Sequence, residues 1–320
     1  MLEMEAQAAY RIATKNRWAR FPTMEDPRYQ AITTDKTGFL RPMIDPKFKI
    51  KSGDTVFTIG SCFVREIEPH LEAFGCRVPV RQFPVPWTEM PLGQEGVQIF
   101  NEYTAGTMCQ RILSAFGKFK YDLDAGLEMS DGAFRDLLLQ HNATPVALDR
   151  LIERREQIDT LYKEMKNADV VLITLGLIEA WYEESSGVYL NRTPNFFNIK
   201  KNPKKFCFRT LEYEESLDLM DKAISCLVEG GVKQILLTVS PVALLTSFTD
   251  EDVIMANCYS KSVLRCVAHR MKNKYSEVDY FPSYELATSF GMSGYQPDNF
   301  HVHPFAVEQI MNMMKSAYFL

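Results

Sequence analysis

Apolar residues form short continuous runs along the chain, and between these runs they recur at helical spacing. The continuous runs predict buried strands at residues 54–59, 169–175, 232–239 and 278–281. The helical spacing predicts helices over residues 61–75, 148–165, 214–229, 251–274 and 304–317. Strands that alternate with helices of this length form right-handed βαβ units, so we expect an α/β fold with a parallel sheet.

The pattern is less regular in the remaining segments. Residues 76–80 indicate a further strand, which Pro79 would suit to a sheet edge, and shorter helices are predicted near residues 103–116 and 131–140. Residues 1–50 are polar and interrupted by prolines. We therefore expect an N-terminal arm that packs on a main domain of residues 51–320.

Residues 183–213 have the pattern of an insertion over one end of the sheet, with a turn, two prolines and a group of lysines. The lysines of this group are Lys200, Lys201, Lys204 and Lys205. They indicate either a solvated loop or a clamp for a phosphate-bearing ligand.

Composition narrows the class of protein. With 320 residues, of which 46% are apolar and 24% charged, the chain is globular rather than disordered or fibrous. The formal charge of −5 disfavours nucleic-acid binding, which relies on a basic surface. The N-terminus lacks the pattern of a signal peptide, and no stretch approaches the roughly 18 apolar residues of a membrane helix. Seven cysteines without a CxxC pair indicate reduced thiols, so we expect a cytoplasmic protein.

The strongest candidate for chemistry lies where the first predicted strand meets the next helix. Ligands of open α/β sheets bind beyond the carboxyl ends of the strands, and Gly60, Ser61 and Cys62 follow such an end. A thiol at a helix start lies at the positive end of the helix dipole, which lowers its pKa and favours the nucleophilic thiolate. Backbone N–H groups there can stabilise an oxyanion. The alternative is that Cys62 is a small buried core residue.

Two histidines beyond the last predicted strand supply a candidate base. His301 and His303 precede the terminal helix, and Asp298 stands three residues before His301. A carboxylate, an imidazole and a thiol are the parts of an acyl-transfer triad. The alternative is a metal site built from the same residues, although no matching Cys or His motif occurs elsewhere. The remaining histidines are expected to be structural: His70, His141 and His269.

Several segments together resemble the GSCFA-domain family, whose name-giving signature is similar to residues 57–63. The other segments that carry the resemblance are residues 174–181, 238–242, 259–261 and 281–284 and the closing Asp-x-x-His. The resemblance covers about residues 50–315. It implies a three-layer α/β/α sandwich like that of the SGNH/GDSL hydrolases, a fold that hosts esterases and carbohydrate O-acyltransferases.

The resemblance also implies catalytic residues. Aligned with the Gly-Asp-Ser motif of SGNH hydrolases, the Gly-Ser-Cys motif of this chain puts Cys62 in the nucleophile position and Ser61 in that of the aspartate. We favour Cys62 over Ser61 as the nucleophile. The closing Asp-x-x-His fits Asp298 and His301, with His303 as a rival for the histidine. No metal ligands are implied.

The expected substrate-binding residues include several that follow predicted strand ends, together with Asn101 and with Lys261 of a predicted helix. They are Gly60, Asn101, Gly176, Glu179, Trp181 and Lys261. The SGNH pattern has a Gly-x-Asn block whose asparagine donates to the oxyanion, but this chain has Gly176-Leu-Ile178 there. Asn101 is the replacement that we consider. Trp181 could instead pack in the core, and Lys261 could lie on a solvated helix face.

These residues together favour an acyltransferase or esterase that acts through a covalent acyl-enzyme. His301, oriented by Asp298, would deprotonate Cys62, and the acyl group would pass to water or to a hydroxyl of a carbohydrate or polysaccharide precursor. We expect no bound cofactor, with acyl-CoA as a candidate donor. The alternatives are a non-catalytic carbohydrate- or nucleotide-binding module and a metal-dependent hydrolase.

Overall fold

A computed structural model describes residues 4–31, 38–89, 96–139 and 144–320, so His141 lies outside the described residues. The helices are α1 Ala6–Lys15, α2 Phe63–Ala73, α3 Pro79–Gln82, α4 Ala105–Ala115, α5 Leu148–Lys163, α6 Phe196–Lys201, α7 Tyr213–Glu229, α8 Val253–Lys274, α9 Ser283–Ser289 and α10 Pro304–Tyr318. The strands are β1 Tyr29–Ala31, β2 Gly38–Leu40, β3 Val56–Gly60, β4 Leu127–Ser130, β5 Ala133–Asp136, β6 Val170–Leu175, β7 Glu179–Glu183, β8 Val188–Leu190, β9 Phe206–Thr210, β10 Ile235–Val239 and β11 Val278–Tyr280.

The four strands predicted from apolar runs form one parallel sheet, in the order β11-β10-β6-β3. Strand β6 is central: Val171 pairs with Phe57 of β3 on one side and with Ile235 of β10 on the other. All residues of β3 and β6 are buried, as expected for parallel strands that are covered on both faces. The predicted parallel α/β sheet is confirmed.

Helices cover both faces of this sheet because successive strand residues point to opposite sides. On one side, Val171 and Ile173 of β6 share a core with helices α4, α5, α7 and α8. On the other side, Val170 and Leu172 pack with α2, α9 and α10. The protein is therefore a three-layer α/β/α sandwich, as predicted.

Two local predictions were wrong. Residues 76–80 do not form a strand; an isolated bridge joins Thr55 to Arg77, and Pro79 then begins α3. Proline suits the first helical turn because it has no N–H group to leave unpaired there. Residues 131–136, where a helix was predicted, instead form the turn and second strand of the β4–β5 hairpin. Residues 137–139 follow as a turn, and residue 140 lies outside the described residues. Asp131 and Gly132 both have positive φ at the turn of the hairpin, which fits an Asp-Gly pair.

The segment predicted as an insertion contributes a second, antiparallel sheet of order β8-β7-β9. Three residues separate the end of β6 from the start of β7, so this sheet stands at the carboxyl end of the parallel one. The N-terminal segment contributes α1 and the antiparallel pair β1–β2. Its Phe39 ring stacks on Phe290 with centroids 4.1 Å apart. The division into an arm and a main domain stays a prediction.

Candidate active site

A cavity of about 690 Å³ opens beyond the carboxyl ends of β3, β6 and β10. Eight of the residues singled out from the sequence line it: Ser61, Cys62, Asn101, Gly176, Glu179, Trp181, Lys261 and His301. Asp298 contacts His301 from outside the lining, and Gly60, the last residue of β3, is not a lining residue either. The fold thus brings together residues that are up to about 240 positions apart in the chain.

The strand–helix junction that carries Cys62 depends on Gly60. Its φ of 147° lies in a region that side chains rarely adopt, and an added Cβ would come within 2.4 Å of the Thr174 carbonyl oxygen. Close packing of β3 on β6 therefore requires glycine here. Cys62 follows in helical conformation as the residue before α2, and its side chain is partly exposed to the cavity. Ser61 is buried, and its hydroxyl has no partner among the described residues.

The electrostatic environment of Cys62 differs from the prediction. A lowered thiol pKa was expected from the helix dipole, but burial raises the pKa of Cys62 because it disfavours the charged thiolate. The positive charge of Lys261, the Tyr103 hydroxyl and the Phe63 backbone N–H act in the opposite direction. The thiol is thus protonated at rest and needs a nearby base to become a nucleophile.

Lys261 is the charged group that acts most strongly on this thiol. Its side chain is only 1% exposed, and its Nζ donates a hydrogen bond of 2.8 Å to the Gly176 carbonyl oxygen. Burial lowers the pKa of Lys261 to about 7, an effect opposed by the charge of Cys62. The alternative of a solvated helix face is therefore wrong for Lys261, which forms a wall of the cavity.

His301 and Asp298 form a hydrogen-bonded pair at the rim. The Nδ1 of His301 lies 2.7 Å from Asp298 Oδ2, and Asp298 Oδ1 accepts from the backbone N–H groups of Phe300 and His301. The hydrogen bond to His301 lowers the pKa of Asp298 to about 2. No hydrogen bond joins His301 to Cys62 where the structure describes the chain. Both side chains nevertheless line the same cavity.

His303, the rival for the histidine position, has a different environment. It is the N-cap of α10, and its Nδ1 accepts a hydrogen bond of 3.2 Å from the Phe305 backbone N–H. It is absent from the cavity lining. Across the described ranges, no group of three or more His, Cys, Asp or Glu side chains is arranged to hold a metal ion.

Asn101 is held in the cavity wall by a residue that sequence analysis missed. Arg65, one turn into α2, donates from Nε to Asn101 Oδ1 at 2.9 Å and pairs with the buried Glu68. The Asn101 Nδ2 group donates to the Tyr103 hydroxyl at 3.3 Å. The sequence offered only one signal for Arg65, an acidic residue three positions later in the same helix, and the helical pattern of apolar residues did not predict that Arg65 is buried.

The β7–β9 sheet supplies an aromatic wall. Trp181 packs edge-on against Phe208 and Phe248 and remains partly exposed, so it lines the cavity rather than filling the core. Glu179 beside it accepts hydrogen bonds from the Ser247 hydroxyl at 2.7 Å and the Phe248 backbone N–H at 2.8 Å.

The lysine group of the inserted segment lies apart from this wall. None of its lysines lines the cavity, and Lys205 is paired with Glu183 at 3.1 Å. The clamp predicted for a phosphate-bearing ligand of this cavity is therefore not formed by these lysines. Arg192 is the basic residue of the inserted segment that lines the cavity.

The fold and site define an α/β sandwich with a cysteine at the strand–helix junction and an Asp–His pair at the rim of the same cavity. The GSCFA family model matches residues 55–314, so the chain belongs to the GSCFA family. No curated protein matches the chain. Within the described residues, no helix is long and apolar enough to cross a membrane.

The chain is also similar to a solved structure, the family 3 carbohydrate esterase of Clostridium thermocellum. The two share 11% identity over 82% of this chain and 94% of the esterase chain, with a TM-score of 0.30. This likeness is too weak to assign an activity.

Proposed function

We propose that the protein is an acyltransferase or esterase that forms a thioester on Cys62 and acts on a carbohydrate or polysaccharide precursor. The observation that supports this proposal best is that the Cys62 thiol and the His301 imidazole line one cavity beyond the carboxyl ends of a parallel sheet. Asp298 holds the imidazole in the way that a carboxylate orients a catalytic histidine.

The proposed reaction has two halves. In the first, the Cys62 thiol gives up its proton, and the sulfur attacks the carbonyl carbon of the donor. The oxyanion that forms then collapses, the thioester remains on the sulfur, and the departing alcohol or thiol takes up the proton. In the second, water or an acceptor hydroxyl attacks the thioester carbon while His301 takes its proton. The Cys62 sulfur leaves and takes up a proton, and His301 gives up the proton that it received, so both groups return to their starting states.

Two groups are suited to donate to the oxyanion. The Phe63 backbone N–H stands at the start of α2, where backbone donors have no partner within the helix. Asn101 offers a side-chain N–H₂ group, of which the Tyr103 hydroxyl occupies one donor. Asn101 would thereby replace the asparagine that is missing after Gly176. Hydrogen-bond donors that are fixed before the reaction stabilise the developing charge without reorganisation.

The cavity also favours a substrate with a polar ring. Its volume of about 690 Å³ is in the range of small-molecule sites, and its lining combines the aromatic side chain of Trp181 with the Glu179 carboxylate. Acyl-CoA is the proposed donor. It would bind and leave as a substrate in each turnover and would not be a bound cofactor. Arg192 is then the group of the inserted segment best placed for a phosphate.

Turnover of defined donors tests the proposal. The purified protein is incubated with a panel of acyl-CoA thioesters and O-acetylated saccharides, and release of CoA or acetate is followed. We expect turnover of at least one donor. Saccharide binding without any turnover would favour a non-catalytic binding module instead, and turnover that is lost with a copurified metal would favour a metal-dependent hydrolase.

Replacing His301 and His303 in turn by asparagine separates the two candidates for the general base. His301→Asn is expected to lower turnover by about 10²- to 10⁴-fold, the usual contribution of a general base. His303→Asn is the matched control, because asparagine is a good N-cap and keeps α10 intact. Steady-state rates of the two variants decide the matter: a loss confined to His303→Asn would contradict the assignment of His301.

A further inference from the structure

A buried amine stands beside the proposed nucleophile without a carboxylate to neutralise it. Lys261 is almost inaccessible to solvent, yet it forms no ion pair within the described residues. Burying an unpaired ammonium group is unfavourable, and a hydrophobic residue of the same volume would usually stabilise the fold more. The fold alone therefore does not account for a lysine at this position.

The position of this amine is fixed by the helix that carries it. Helix α8 holds the loops beyond two strands: Ser260 Oγ accepts from the Ile178 backbone N–H at 3.2 Å, and Asn257 Oδ1 accepts from that of Leu244 at 2.9 Å. Lys261 Nζ itself donates to the Gly176 carbonyl oxygen. One of its N–H groups is thus used for positioning, and the rest of the amine remains available to the cavity.

Among the titratable groups that act on Cys62, Lys261 is the one suited to act as its base. The groups that act on the thiol are Lys261 from α8, Tyr103 from the segment before α4, and Glu66 from its own helix. The other titratable groups of the cavity are engaged or act elsewhere: Arg65 with Glu68, Glu179 with Ser247 and Phe248, His301 with Asp298, and Arg192 on the inserted segment. Tyr103 also acts on Cys62, but burial raises the pKa of its phenol, so it stays protonated and is not suited to accept a proton. Lys261 has no carboxylate partner in the described part of the chain and acts on Cys62 in return.

We propose that Lys261, rather than His301, takes the proton from Cys62 in the first half of the reaction, which makes it a catalytic residue of the proposed acyl-transfer function. The S–H bond breaks, the neutral amine becomes an ammonium, and the electron pair left on sulfur forms the bond to the acyl carbon. The ammonium then returns this proton to the departing alcohol or thiol. His301 is left to act on the acceptor in the second half.

The protonation states of the two groups fit this division. With a pKa of about 7, Lys261 is neutral in a substantial fraction of molecules near neutral pH and can accept a proton. Burial keeps the thiol protonated until the amine receives its proton, because a thiolate is favourable here only beside a cation. Transfer of the proton from sulfur to nitrogen therefore places the thiolate beside a cation.

The rate at which iodoacetamide alkylates Cys62, measured against pH by mass spectrometry of the Cys62 peptide, tests the proposal in the full chain. Only the thiolate reacts. Lys261→Met, which is similar in size and uncharged, is expected to lower the rate at pH 7.5 by at least about tenfold and to shift the profile to higher pH. Lys261→Gln, which keeps a donor for Gly176, should do the same and replaces Lys261→Met if that variant does not fold.

His301→Asn is the matched control and should leave the alkylation profile unchanged. A profile that is the same in wild type and in the folded Lys261 variants would overturn the proposal, as would a shift that occurs only in His301→Asn. Alkylation needs no substrate, so its outcome is independent of acyl turnover. If the proposed acyl-transfer function is wrong but the role of Lys261 is right, no donor is turned over, and the alkylation profile still shifts in the Lys261 variants.

Discussion

Replacing Cys62 by alanine is expected to lower acyl turnover by about a thousandfold or more. Without the sulfur no thioester forms, and the residual rate comes only from binding and from the oxyanion donors. Cys62 lines the cavity from the position before α2, and Lys261 forms part of the wall of the same cavity. Initial rates with a reactive donor, at matched protein concentrations, give the ratio directly.

Two variants serve as controls for this experiment. Ser61→Ala removes a buried hydroxyl that has no hydrogen-bond partner in the described part of the chain, so it should keep both activity and stability. Cys258→Ala removes an exposed thiol of α8 and should behave like wild type. If Ser61→Ala loses activity while Cys62→Ala keeps it, the nucleophile is the serine.

Replacing Arg65 by methionine is expected to destabilise the protein by about 3–5 kcal/mol. The guanidinium group pairs with Glu68, which is fully buried, and donates to Asn101 Oδ1 and to the Phe100 carbonyl oxygen at 2.9 Å each. Removing one partner of a buried ion pair leaves the other charge uncompensated. The Asn101 amide also loses the contact that orients it, so turnover by the folded fraction should fall as well.

The free energy of unfolding, obtained from urea denaturation, measures the first effect. Arg81→Met is the control, because Arg81 pairs with Glu72 near the surface, and such pairs contribute about 0–1 kcal/mol. Equal losses of stability in the two variants would contradict the claim that Arg65 neutralises a buried carboxylate.

Long apolar runs allowed the parallel sheet to be predicted, whereas short irregular segments did not. Strand β6 is apolar except for Thr174 because both faces are covered, and this pattern is difficult to confuse with a loop. The hairpin at Asp131 and Gly132 was mistaken for a helix, although an Asp-Gly pair is a strong turn signal. At Pro79 a single residue fits both an edge strand and a helix start, and tertiary context decided between them.

The site shows a similar division. Cys62 and His301 could be found because each follows the end of a predicted strand, where ligands of such sheets bind. The contacts of Lys261 could not be found, because they join α8 to loops about 85 and 200 positions earlier in the chain. The raised pKa of Cys62 was also missed, since burial outweighs the helix dipole and depends on the whole fold.

The most direct test of the central claim is the mass of the Cys62 peptide after brief incubation with an acyl donor and quenching in acid. We predict that the peptide gains the acyl mass in wild type. The adduct should accumulate further in His301→Asn, because that variant is slow to pass the acyl group to its acceptor. Turnover of the donor with an unmodified Cys62 peptide in both proteins would contradict the claim that a thioester on Cys62 carries the reaction.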